Sequence, residues 1–138
     1  MTQKQKDILL KDLCARLPYG VKVQCLSHQI PLKILSINPN GVTWVTGDKG
    51  YPFEVDWSDC KPYLFPLSSM TEEHKRELSK ICNCFIHFTD WEIHFPNYED
   101  NNMGNWQKIV SWVYKNHYDI NGLIPMGLAT DATDKNIY

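Results

Sequence analysis

The sequence predicts an α+β domain with an N-terminal helix, an antiparallel β-meander or small barrel, a middle helix, a short strand region and a C-terminal helix. Three observations carry that expectation. Apolar residues recur at helical spacing over residues 3–17. Short alternating stretches joined by tight turns fill residues 21–57. Helical spacing then returns on both sides of an alternating stretch at 85–95.

In the first segment Leu10, Leu13, Cys14 and Leu17 stand at i, i+3, i+4 and i+7, one apolar stripe. Pro18-Tyr19-Gly20 ends it, since proline disfavours helical backbone in the residue before it and glycine permits a turn. Val21, Val23 and Cys25 alternate with Lys22 and Gln24, the period of a half-buried strand. A second strand is expected from Leu32 to Ile37. Asn38-Pro39-Asn40-Gly41 supplies a fixed φ and residues tolerant of positive φ, hence a turn. Val42 to Val45 resumes the sheet, and Gly47-Asp48-Lys49-Gly50 turns it again. Tyr51, Phe53, Val55 and Trp57 then alternate with Pro52, Glu54 and Asp56. Four short strands in about forty residues describe a meander that can curl into a barrel.

Residues 58–69 read as an irregular connection. Ser69 with Glu72 has the spacing of a capping box. It opens a helix to about residue 84 that lines up Leu78, Ile81, Cys82 and Phe85. Trp91, Ile93 and Phe95 alternate with Glu92 and His94. Asn97 to Asn105 is a polar loop. A last helix over 105–117 carries Trp106, Ile109, Val110 and Val113, and Asn121-Gly122 is its expected stop. The tail after Gly127 is expected to be loosely held.

The 138 residues suit one domain, 1–138, long enough to fold without metal or disulfide. Five Trp, seven Tyr and five Phe supply apolar area that disordered chains lack. The formal net charge is −2 and no basic stripe exists, which argues against DNA or RNA as a partner. No apolar run reaches bilayer length, so no membrane partner is expected. The polar N-terminus lacks a signal-peptide core, and the expected location is the cytoplasm. Five scattered cysteines in a reducing compartment read as small buried hydrophobes.

Candidate chemistry is sparse. Cys82, Cys84, His87, Asp90 and His94 form the densest set of metal-ligand types. Their spacing matches no zinc pattern, and a small metal-dependent hydrolase using this region stands only as an alternative. No cofactor is expected. A Cys–His nucleophile lacks a local signature, with Cys14 and Cys25 on apolar faces. Carboxylate pairs such as Asp56 with Asp59 and Glu99 with Asp100 lie in polar loops, where nothing raises a pKa. Gly47-Asp48-Lys49-Gly50 fits no phosphate-loop pattern. No catalytic residue is therefore assigned, and the chain is read as non-enzymatic.

The aromatics divide into two groups. Trp44, Phe53, Phe88, Trp91 and Trp106 are expected in the core. Tyr19, Tyr63, Tyr98, Trp112, Tyr114 and Tyr118 fall off the apolar stripes, where such residues either shield the core or anchor partners. Trp112 and Tyr114 on one helix leave room for a homo-oligomer.

Three blocks, Lys11-Asp12-Leu13-Cys14-Ala15-Arg16-Leu17-Pro18-Tyr19-Gly20-Val21, Lys61-Pro62-Tyr63-Leu64-Phe65-Pro66-Leu67-Ser68-Ser69-Met70-Thr71, and His117-Tyr118-Asp119 through Gly122-Leu123-Ile124 to Gly127-Leu128-Ala129, together resemble a family of small uncharacterised proteins of gut bacteria, their phages and mobile elements. The resemblance implies little chemistry. It implies an accessory gene of the phage–host contest, acting in the host bacterial cell, with counter-defence as the expected setting. Residues 24–57 and 84–103 follow no fixed pattern of that family.

Within the blocks, Arg16 precedes Pro18-Tyr19, Lys61 precedes Pro62-Tyr63, and His117 precedes Tyr118. If the three meet, Arg16, Tyr19, Lys61, Tyr63, His117 and Tyr118 form a cationic-aromatic pocket for a small anionic or nucleotide-like ligand. The competing expectation is structural: Arg16 and Lys61 cap carbonyls and pair with Asp12 or Asp119. The leading function is stoichiometric capture of such a ligand or of a host protein. A structural or assembly subunit is the other alternative.

Overall fold

A computed structural model describes residues 1–40, 42–82, 87–88, 93–94 and 103–138. Helix α1 spans Gln3–Arg16. Thr2 and Gln5 form a capping box that the sequence reading missed: the Thr2 hydroxyl accepts the Gln5 N–H at 3.2 Å, and the Gln5 side chain accepts the Thr2 N–H at 2.9 Å. A 3-10 turn, Leu17–Tyr19, follows and closes on Gly20 at φ 70°. An added Cβ at Gly20 would meet the Lys33 side chain no closer than 3.6 Å, so space is available. The cost of Gly20→Ala therefore lies in the left-handed backbone and is expected to be about 1–2 kcal/mol in a urea melt.

Strands β1 (Lys22–Cys25), β2 (Leu32–Ser36), β3 (Val42–Thr46) and β4 (Phe53–Asp56) form the expected meander. A 3-10 turn, Trp57–Asp59, leads to β5 (Cys60–Leu64), and β8 (Thr130–Asp131) pairs parallel with β5. The strand order is β4-β3-β2-β1-β5-β8. In a flat sheet β4 and β5 would lie four strand spacings apart, about 19 Å. The link from Asp56 to Cys60 reaches at most about 14 Å, and its 3-10 turn shortens it further. The sheet must curl until its β4 edge nears β5, which turns the meander into a partly open barrel.

The barrel interior holds Val21, Val23, Cys25, Leu32, Ile34, Val45, Cys60 and Leu64, and Leu9 and Leu13 of α1 belong to the same core. A second core lies with α2 (Glu72–Cys82) and α3 (Met103–Lys115), built from Leu67, Met70, Leu78, Ile109, Val113 and Tyr118. Two short strands, β6 (His87–Phe88) and β7 (Ile93–His94), pair antiparallel.

Several expectations need correction. Residues 58–69 are not an irregular connection, since they contain β5 between two 3-10 turns. Pro62 disguises this strand in the sequence, because proline is rare in inner strands. Helix α2 is capped by Thr71, whose hydroxyl accepts the His74 N–H at 3.2 Å, and the Ser69 hydroxyl instead donates to the Pro66 carbonyl at 2.7 Å. The stretch after Gly127 is held, since β8 pairs with β5 and the Ala132 N–H donates to the Leu64 carbonyl at 2.8 Å. Cys14 is exposed rather than buried. Trp44 and Trp106 are not core residues, at 42% and 40% exposure. In β3 the alternation runs in the other phase, burying Thr43 and Val45. The register shift between Ile34 and Ser36 leaves both Leu35 and Ser36 exposed on that stretch of β2. The expected places of Phe88 and Trp91 lie outside the described side chains.

Candidate functional site

The three resembling blocks do converge, and the meeting point begins at the end of α1. Leu9, Asp12, Leu13 and Arg16 form its buried stripe, with Arg16 at 0% and Asp12 at 1% exposure. The Arg16 Nε and Nη2 atoms bond both Asp12 carboxylate oxygens, at 2.6 and 3.1 Å. Nη2 also donates to the Tyr118 carbonyl at 2.8 Å. The guanidinium lies 4.7 Å from the centre of the Tyr114 ring, a cation–π contact. Asn121 donates to Asp12 at 2.8 Å. Arg16 Nη1 is buried without a protein partner among the described residues. Arg16 thus caps a carbonyl and pairs with Asp12, as the structural alternative expected.

His117 owes its position to the end of α3. The His117 N–H donates to the Tyr114 carbonyl at 3.1 Å and the Tyr118 N–H to the Val113 carbonyl at 3.1 Å, the two bonds of a Schellman motif. The residue at its left-handed position is His117, at φ 62°, where glycine is usual. The helix therefore stops ahead of the expected Asn121-Gly122. The His117 ring stacks on Tyr138, with centroids 3.6 Å apart and planes within 7°. Its Nδ1 is buried and unpartnered among the described residues. Burial, and secondly the nearby Arg16 charge, lower the His117 pKa to about 4, so the ring is neutral at pH 7.

Past His117 the chain locks onto β5. The Phe65 N–H donates to the His117 carbonyl and the Asp119 N–H to the Phe65 carbonyl, each at 2.9 Å. The buried Asp119 carboxylate accepts the Leu123 and Ile124 N–H groups, each at 2.8 Å. Burial outweighs those bonds and raises its pKa. The Tyr118 ring stacks on Trp112, and its hydroxyl shares a 2.7 Å hydrogen bond with His74.

Tyr138 joins this cluster to the barrel. Its hydroxyl accepts the Lys22 N–H of β1 at 3.2 Å and donates to the Tyr63 carbonyl of β5 at 2.8 Å. Registered pairing of β1 with β5 runs from Cys25↔Cys60 to Val23↔Pro62, so the hydroxyl stands one step beyond, between the two strands. Loss of water around it pushes the Tyr138 hydroxyl up to about 12, although the residue as a whole stays 43% exposed.

A row of lysines begins at the same place. Lys22 of β1 lies directly opposite Lys33 of β2. Lys61 of β5 lies opposite Gln24, two residues along the same face of β1. None of the three forms an ion pair with a described residue. Like charges directly opposite across strands destabilise a sheet, so folding alone does not favour the Lys22–Lys33 pair.

Of the six residues expected at the site, Arg16, His117 and Tyr118 are bonded into one buried network. Tyr63 is linked to it through Tyr138. Lys61 is exposed in the lysine row, and Tyr19 is half-buried in the turn after α1. Lys22, Lys33 and Tyr138 were missed. The first two were readable as outward positions of neighbouring strands, whereas Tyr138 carried no local signal. The Cys25 and Cys60 sulfurs lie 3.2 Å apart inside the barrel. The hydrogen bond with Cys25, and secondly burial, raise the Cys60 pKa. The side chains of the Cys82–His94 set lie outside the described residues.

No family model, curated protein or solved structure matches the chain. No helix among the described residues is long and apolar enough to cross a membrane.

Proposed function

We propose that this chain is a non-enzymatic binding protein of phage or mobile-element type, working in the host cytoplasm in counter-defence by stoichiometric capture of a small anionic, nucleotide-like ligand. The observation that carries the reading is the unneutralised Lys22–Lys33 pair with Lys61 on the next strand, starting where the Lys22 N–H meets an aromatic cluster. Such a row suits phosphate oxygens, and the aromatic cluster suits a planar ring.

A thermal-shift panel of cyclic and linear nucleotides tests it. A captured ligand at a hundredfold excess over its Kd adds about 2.7 kcal/mol to the folded state, which raises Tm by roughly 5–10 °C. Lys33→Gln is expected to abolish most of that shift without lowering the unliganded Tm. A panel in which nothing moves Tm overturns small-ligand capture. Weight then passes to capture of a host protein, which the 40–43% exposure of Leu35, Val42 and Trp44 on β2 and β3 favours.

A further inference from the structure

We propose that the cleft between β1 and β5 is a binding site for a planar ring with a hydroxyl or amide edge, and that Tyr138 occupies it as an internal stand-in for that ligand. The inference rests on the capture reading and says where the ring of the captured molecule goes.

The cleft offers what such a ring needs. Strands β1 and β5 present one donor and one acceptor, the Lys22 N–H and the Tyr63 carbonyl, to a single hydroxyl. An amide or hydroxyl edge satisfies both at once. The neutral His117 imidazole provides a flat stacking face at 3.6 Å. Phe65 closes another side, its ring centroid 6.1 Å from that of Tyr138. Arg16 Nη1, a donor, and the His117 Nδ1 ring nitrogen remain buried without protein partners among the described residues, in the same cluster.

The occupant is also held on terms that permit exchange. Tyr138 keeps 43% of its surface exposed. It arrives on a segment bent by two left-handed residues, Asp134 at φ 60° and Asn136 at φ 49°. Asp and Asn tolerate that conformation best among residues with a side chain, but it still opposes docking. The segment's backbone bonds, Thr133 N–H to Asp131 and Lys135 N–H to the Ala132 carbonyl, lie at its β8 end and not at Tyr138.

Tyr138→Ala empties the cleft, and p-cresol, the tyrosine side chain as a free molecule, is the probe. Millimolar p-cresol is expected to raise the Tm of Tyr138→Ala by roughly 3 °C or more and that of the wild type by less than about 1 °C. Toluene, with the same ring and no hydroxyl, is expected to do neither. The Lys22 amide resonance should shift with p-cresol in the variant. If Tyr138→Ala is unfolded in plain buffer, the titration is run in trimethylamine N-oxide, which favours the folded state. No rescue by p-cresol, or equal rescue by toluene, overturns the proposal. Rescue by p-cresol with no nucleotide bound by either protein keeps the cleft and removes only nucleotide capture. Nucleotide binding without p-cresol rescue does the reverse.

Discussion

Arg16→Met is expected to destabilise the protein by about 3–5 kcal/mol, because it strands the Asp12 carboxylate in the interior without its cation. Asp12 is 1% exposed, and removal of Arg16 leaves it only the Asn121 amide among the bonds described above. For a domain of this size the loss lowers Tm by roughly 10 °C or more. The Tyr118 carbonyl also loses its bond to Arg16. The double variant Asp12→Leu, Arg16→Met is expected to recover most of the loss, since an apolar pair of similar volume removes the stranded charge. Urea melts of both single variants and the double give the coupling directly. A cost below about 1 kcal/mol for Arg16→Met would show that water reaches Asp12 and that the pair is not a buried one.

The second large effect follows pH. His117 titrates near 6.5 when unfolded and at about 4 in the fold, because burial, and then the Arg16 charge, disfavour its cation. Between those values the unfolded chain binds a proton that the folded chain refuses, so stability is complete above pH 6.5 and is lost as pH falls toward 4. The shift corresponds to about 3 kcal/mol. Asp119 works in the opposite sense, since its raised pKa lets the folded state take up a proton before the unfolded one does. His117→Asn separates the two, because asparagine accepts the left-handed backbone and does not titrate. Urea midpoints from pH 7 to pH 4 should fall steeply for the wild type and much less for His117→Asn. Equal slopes would mean that His117 is protonated freely in the folded state.

Much of the architecture was readable because turn chemistry and alternation agree through residues 21–57. The errors have physical causes. In α1 the apolar pattern selected Leu10, Leu13, Cys14 and Leu17, while the buried stripe is Leu9, Asp12, Leu13 and Arg16. A reading by hydrophobicity cannot anticipate a charged pair that enters the interior because its members neutralise each other. In β3 size and hydrophobicity point the larger side chain, Trp44, inward, although neighbouring strands and the register shift near Leu35 bury Thr43 instead. The Thr43 hydroxyl is buried without a partner among the described residues, a cost that no local rule predicts. At the site, convergence of the three blocks enters the sequence argument only as a condition, beside the competing expectation that Arg16 pairs with Asp12. Tyr138 lay beyond reach, since it meets Lys22 across 116 positions of sequence.

The route of the chain around β5 has a consequence for how this molecule can change over generations. The chain leaves β5 at Leu64 and comes back beside it at Thr130; between them α2 and α3 carry an interior of their own, while Leu123, Leu128 and Ala129 pack into the barrel core. Insertions, deletions and rapid divergence can accumulate in the α2–α3 layer without cutting a rung of the barrel. The fixed points are the bolts at its root, where Arg16 grips the Tyr118 carbonyl and Phe65 clasps the backbone on either side of Tyr118. The helical layer can be remodelled freely, provided those bolts stay in place.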